Sequence, residues 1–176
     1  MPGSTASFPW SDADLAVRVR TAVRSYWNAN VCGEFYLDGE SRASAAYFDI
    51  ITRERYRWHY HLPPFLDEVA AVRGTTLEIG CGMGIDSSEL ARRGVKLTSV
   101  DLTPAGIELA KKNFEQLGLK ADLRVGNAEA LEFPDSHFDA VYSFGVLHHT
   151  SDTVRAISEV RRVLKPGGKA FIMLYS

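Results

Sequence analysis

The sequence predicts an α/β fold: a doubly wound parallel sheet preceded by a helical region. Three observations carry this prediction. From Thr75 onward, short apolar runs alternate with helical periods, and glycine or proline punctuates the changes. A tight cluster, Gly80-Cys81-Gly82-Met83-Gly84, joins the first run to the helix after it. Residues 1–74 lack this alternation. Strand-helix-strand repetition implies right-handed crossovers and a sheet covered on both faces.

Taken in order, helical periods run over Leu15–Trp27 and Ala45–Tyr60, with Gly33 and Gly39 marking a loop between them. Pro63-Pro64 is expected to stop the second helix, and Phe65–Val72 to form a third, ended by Gly74. Strands are expected at 75–80, 95–101, 121–126, 138–144 and 169–175. A helix fills Asp86–Arg93 before Gly94. Thr103 caps the next, with Pro104 in its first turn; it buries Ile107, Ala110, Phe114 and Leu117. Asp152–Leu164 is helical with Val154, Ile157, Val160 and Leu164 on one face, and Pro166-Gly167-Gly168 turns the chain into the fifth strand. The chain divides into a helical cap at 1–74 and a sheet domain at 75–176.

Composition narrows the function. The 176 residues hold 20 Lys+Arg against 22 Asp+Glu, so no basic surface for nucleic acid is implied. The cap has eight Arg, no Lys, all three tryptophans (Trp10, Trp27, Trp58) and five of seven tyrosines, yet its net charge is −1. Two cysteines make neither a disulfide scaffold nor a thiolate metal site, so no metal is expected. No apolar run approaches the ~18 residues of a membrane span. The acidic N-terminal stretch does not read as a signal peptide, so a cytoplasmic protein is expected.

Glycines at a strand-to-helix turn let a ligand approach the backbone beside a helix N-terminus. A P-loop is excluded, because no Lys occurs before Lys96. The dinucleotide fingerprint needs its third glycine where this chain has Ile85. Glu78, Asp86, Asp101 and Glu129 surround the loop and would repel a pyrophosphate. Asp101 lies 21 residues after Gly80, the spacing of a carboxylate that accepts ribose hydroxyls. Adenosine with a cationic tail fits these facts; an NAD-dependent oxidoreductase fits them poorly.

LEIGCGMG at 77–84, VDLTPAGIELA at 100–110, GNAEALEFPDSHFDAVYSFGVLHH at 126–149 and EVRRVLKPGG at 159–168 resemble class I S-adenosylmethionine-dependent methyltransferases. The nearest subgroup is the small-molecule, type 11 group that includes ubiquinone/menaquinone C-methyltransferases. The resemblance covers about 77–175. It implies a Rossmann-like sheet of strand order 3-2-1-4-5, with S-adenosylmethionine as cofactor and S-adenosylhomocysteine as product. It further implies that Glu78, Gly80, Cys81, Gly82 and Gly84 hold the methionine part. Asp101 takes the ribose, Leu102 packs on adenine, and Asn127, Ala128 and Glu129 flank its edge. Ser143 and Phe144 lie along the cofactor on the substrate side.

The acceptor half is less legible. Methyl transfer from a sulfonium needs donor and acceptor held about 3 Å apart, aligned and dry. A base is required only if the acceptor must lose a proton. His148 and His149 are candidates for that base, with His59 and His61 as weaker ones. Cys81 reads as a small loop filler. The aromatic residues of the cap are either core or a wall shielding the sulfonium. A small organic acceptor with an O, N or C nucleophile is the leading partner class; the rival is a cofactor-binding or scaffold module acting with a partner chain. The resemblance also implies a C-terminal hairpin that this sequence does not contain. Strand 169–175 is then expected to expose an edge beside Phe171, Ile172, Met173 and Leu174, inviting self-association or a second chain, or marking the sequence as a fragment.

Overall fold

The computed structural model describes residues 11–175 apart from 38 and 40; Trp10 lies outside the described residues. Three helices precede the sheet: α1 (Asp12–Ala29), α2 (Ala45–Trp58) and α3 (Leu62–Ala70). Ser11 caps α1 by accepting from Asp14 N, and Ser44 caps α2 by accepting from Tyr47 N. Pro63 and Pro64 do more than stop α2: they sit in the first turn of α3, which begins at Leu62. That turn has no intrahelical partner for its N–H groups, so proline costs nothing there.

The sheet domain then runs β1 (Thr75–Ile79), α4 (Ile85–Arg92), β2 (Lys96–Asp101), α5 (Pro104–Leu117), β3 (Asp122–Val125), β4 (Phe138–Phe144), α6 (Thr153–Val163) and β5 (Leu164–Met173). Among the described residues the strands form one parallel sheet in the order β3-β2-β1-β4-β5. Alternation along β1 sets the layers. Leu77 and Ile79 join Val100, Val141, Ala156, Val160 and Val163 on the α6 face. Thr76 and Glu78 point the other way, and on that face Leu66, Val69, Leu90, Leu97 and Tyr142 pack together. A further cluster joins Tyr47, Phe48 and Ile51 of α2 to Met83, Ile85 and Leu109, seating the N-terminal helices on α4 and α5.

Two expectations need correction. The buried stripe of α6 is Ala156, Val160 and Val163, whereas Val154 is 78% exposed and Ile157 faces solvent. Both stripes have helical spacing, and the small Ala156 allows the closer approach to the sheet. The fifth strand begins at Leu164 and ends at Met173. Phe138 pairs with Leu164 and Ala140 with Lys169, so Pro166-Gly167-Gly168 forms an irregularity inside the strand. Gly167 adopts φ 80°, and Lys165 Nζ bonds Asp139 at 2.8 Å. β5 lies at the sheet edge, with Phe171 packed on the Leu66–Tyr142 cluster and Ile172 on the opposite face. No helix of the described residues is long and apolar enough to cross a membrane.

Candidate active site

A cleft of about 230 Å³ opens at the carboxyl ends of β1, β2 and β4, with α1 and α2 along its other wall. Open parallel sheets bind ligands at this end. The β1–α4 loop forms its floor: Gly80 N and Cys81 N both donate to Val100 O, at 2.7 and 3.1 Å. Gly80 has φ 81°, and a Cβ there would lie 2.2 Å from Val146 Cγ2, so glycine is obligatory for packing. Gly82 is different. At φ 52° its missing Cβ would meet nothing within 4 Å, which leaves the cleft open at that point.

Carboxylates dominate the floor. Asp101 Oδ2 accepts from Gly82 N at 2.8 Å, and Oδ1 accepts from Thr103 N (2.8 Å) and Oγ1 (2.6 Å), tying the end of β2 to the loop. Glu78, 3% exposed, accepts from Ser87 Oγ and, at 2.8 Å, from Ser99 Oγ. Burial, then the nearby Asp86 charge, pushes its carboxyl up to about 7. Asp86 lies in the first turn of α4 and takes Arg55 on both oxygens, Tyr56 Oη at 3.0 Å and Tyr142 Oη at 2.7 Å. Burial acts to raise its carboxyl, but the Arg55 guanidinium and the hydroxyls outweigh it and hold Asp86 below the usual range. Glu129 accepts from Ser151 N and Oγ, from Asp152 N and from Arg20, and these donors depress it against the effect of burial. Of the four carboxylates read as repelling a pyrophosphate, two therefore carry an arginine. The repulsion rests chiefly on Asp101, because a Glu78 carboxyl pushed up to about 7 is only part ionised at neutral pH.

Most of the expected residues meet in this cleft. Glu78, Gly80, Cys81, Gly82 and Asp101 line it, as do Leu102, Asn127, Ala128, Glu129, Phe144 and His149. Gly84, Ser143, His148 and His61 are not among its lining residues. Gly84 sits behind the loop against Ala110, and Ser143 donates inward to Ile79 O at 3.1 Å. His148 packs between His149 and Tyr175, with ring centroids 4.0 and 4.1 Å away. Burial pushes the Cys81 thiol well above its ordinary value, in keeping with a filler. His59 lines the cleft and His61 does not. Tyr47 is core, while Trp27 and Tyr36 face the cleft. Sequence reasoning missed Arg20, Arg55, Tyr142 and Tyr175. The spacing of Arg20, Val23 and Trp27 along α1 could have revealed a cleft-facing stripe; nothing local marks Arg55.

A family model described as a methyltransferase domain matches residues 77–172, more than half of the chain. The chain belongs to the class I methyltransferase-domain family. A ubiquinone biosynthesis O-methyltransferase of Cereibacter sphaeroides (strain ATCC 17029 / ATH 2.4.9) is 40% identical over 92 residues, covering 52% of this chain and 37% of that protein. A solved structure of the PH0226 protein from Pyrococcus horikoshii OT3 superposes with TM-score 0.64 at 28% identity, over 83% of this chain and 59% of that one. Geranyl diphosphate C-methyltransferase from Streptomyces coelicolor A3(2), solved with Mg2+, geranyl diphosphate and S-adenosyl-L-homocysteine, gives TM-score 0.66 at 21% identity, over 86% and 62%. At that identity the likeness shows the fold alone. The chain spans less than half the length of these curated relatives, 37–48% of each.

The donor set fits the cofactor of this family. Gly82 leaves the cleft open where a side chain would fill it, and Asp101 lines it at the end of β2. Glu78, with no cation bonded to it among the described residues, suits a positively charged amino-acid end.

Proposed function

We propose that the protein is an S-adenosylmethionine-dependent methyltransferase acting on a small organic acceptor. The observation that carries this reading is the open Gly82 beside Asp101, within the stretch matched by the family model. When bound, the cofactor supplies an electrophilic methyl group on a sulfonium sulfur. Glu78 and the backbone at Gly80, Cys81 and Gly82 would hold its methionine end, Asp101 its ribose and Leu102 its adenine face. Asn127, Ala128 and Glu129 would flank the adenine edge, with the Glu129 side chain committed to Arg20 and the start of α6. Gly84 and Ser143 support the loop and β1 from behind, and Phe144 stands on the substrate side. The N-terminal helices act as the cap: Trp27, Phe35, Tyr36 and Ile51 present an apolar wall that excludes water from the acceptor. Oxygen is the accepting atom favoured by the O-methyltransferase relatives.

Isothermal titration of the 176-residue chain with S-adenosylhomocysteine, S-adenosylmethionine and NAD tests the cofactor. The two sulfur ligands are expected to bind and NAD is not. Asp101→Ala is expected to weaken S-adenosylhomocysteine by about 1.5–3 kcal/mol, the size of hydrogen bonds to a charged group. Tight NAD binding without a response to either sulfur ligand overturns the reading.

A further inference from the structure

A row of polar side chains crosses the sheet beneath the start of α4. Glu78 of β1 is in register with Ser99 of β2 and Tyr142 of β4, so all three project from one face. Two consecutive residues of α4 close over this row. Ser87 donates to Glu78 Oε2, and Asp86 accepts from Tyr142 Oη at 2.7 Å. Ser99 donates to the same Glu78 oxygen at 2.8 Å. Two carboxylates, 3% and 5% exposed, thus lie together under one helix. Among the described residues, the one cation bonded to either comes from the cap. Arg55 of α2 takes both oxygens of Asp86, and its neighbour Tyr56 donates to Oδ1 at 3.0 Å. The Arg55 guanidinium carbon also stands 5.4 Å from the centroid of the Phe144 ring. Arg55, Glu78, Asp86, Tyr142 and Phe144 all line the cleft.

We propose that Arg55 is a positioning residue for the cofactor: by neutralising Asp86 from the cap, it lets Glu78 stand ionised against the ammonium of the methionine end. The proposal rests on the methyl-transfer reading above, which puts that ammonium at Glu78. Buried like charges side by side resist ionising together. With Arg55 in place, Asp86 is a matched ion pair and the ammonium forms a second one on Glu78. Without Arg55 the two carboxylates share a proton, which the cofactor must displace, and affinity falls. Burial and the Asp86 charge push the Glu78 carboxyl up, while Ser87, Ser99 and the Arg55 charge act the other way. Two other groups beside it stay neutral: burial raises both the Cys81 thiol and the Tyr142 phenol. Asp101 is the further carboxylate of the floor and bonds Gly82 N and Thr103. His59, one turn beyond Arg55, is lowered by burial and then by the Arg55 charge. Such coupling is reciprocal, so bound cofactor also holds α2 against α4.

The test is the pH dependence of S-adenosylhomocysteine binding, since this ligand carries the ammonium without the sulfonium. In calorimetry on the 176-residue chain, affinity is expected to rise with pH and level off above a midpoint near 7. Glu78→Gln should flatten that rise. Arg55→Met should move the midpoint up by about one pH unit, weakening binding about fivefold at pH 7. Asp86→Asn leaves Arg55 unopposed and should move it down. Combining the two changes removes both charges and should return the midpoint to that of wild type, as should Arg55→Lys alone. A merely structural Arg55 would instead lower affinity at every pH, with no recovery in the double variant. If Arg55→Met does not fold, the downward shift in Asp86→Asn and its reversal in the double variant decide the matter. Equal midpoints in wild type and Asp86→Asn overturn the proposal. So does the same pH dependence for 5′-methylthioadenosine, which lacks the methionine end. Failure of S-adenosylhomocysteine to bind at any pH overturns the cofactor reading, and this proposal with it.

Discussion

The two ends of the cleft settle their polar groups in opposite ways. At the glycine-loop end, Asp86 has an arginine and two tyrosine hydroxyls, and Asp101 has two backbone N–H groups and a threonine. At the α1 end, Arg20 Nε and His149 Nε2 are buried without partners. A satisfied network is rigid and specifies one arrangement, which suits a ligand that never changes. Unsatisfied atoms cost free energy until a ligand arrives, which suits an acceptor that the fold itself does not determine.

The contrast breaks if the glycine-loop network is dispensable. Arg55→Met is expected to have the largest effect, because it strands the Asp86 carboxylate, 5% exposed, without its cation. Removing one partner of such a pair costs about 3 kcal/mol or more. Arg20→Met at the other end breaks an ion pair whose arginine is 37% exposed; Glu129, 4% exposed, keeps its donors from Ser151 and Asp152, so the cost should be smaller, about 1 kcal/mol. Urea unfolding of the two variants makes the comparison. Equal losses would show that both ends are held alike.

Glu78 sharpens the contrast by pH. Its carboxyl is pushed up to about 7 from an ordinary 4.5, chiefly by burial. A raised folded value favours the protonated form, so the stability Glu78 lends is complete below pH 4.5 and is lost as pH rises toward 7. Asp86 acts oppositely: its stabilisation is present above its unfolded value near 3.8 and is lost as pH falls through the depressed folded value. Glu78→Gln should remove a swing on the order of 3 kcal/mol between these limits, read from urea midpoints against pH. A wild-type slope retained in the variant would place the titration elsewhere.

How much of this was legible depended on sequence distance. The glycine loop, the Thr103 cap and the first four strands are local signals, and each appears close to where the residues place it. The Arg55–Asp86 pair spans 31 residues and joins two elements that share no pattern. Which face of α6 is buried was equally hidden, because Val154–Ile157 and Ala156–Val160 both have helical spacing and only the sheet chooses between them. His148 and His149 are chemically identical neighbours, and the turn alone sends one into the cleft.

A small change in stability is also expected at Gly82, and it tests whether the loop is a ligand surface at all. In Gly82→Ala the new Cβ meets nothing within 4 Å, so the empty protein suffers only the left-handed backbone strain at φ 52°, about 1 kcal/mol. The corresponding change at Gly80 drives a Cβ into Val146 and reports on packing alone. With ligand present the ranking changes, because the Gly82 Cβ occupies the space that opens onto the cleft. A ligand at a hundred times its dissociation constant stabilises by about 2.7 kcal/mol. Thermal unfolding of wild type with S-adenosylhomocysteine should show that gain, and Gly82→Ala should lose most of it while melting within a few degrees of wild type when empty. A variant that keeps the full ligand-induced gain would mean that the cofactor does not pass over Gly82, and the open space above that residue would need another occupant.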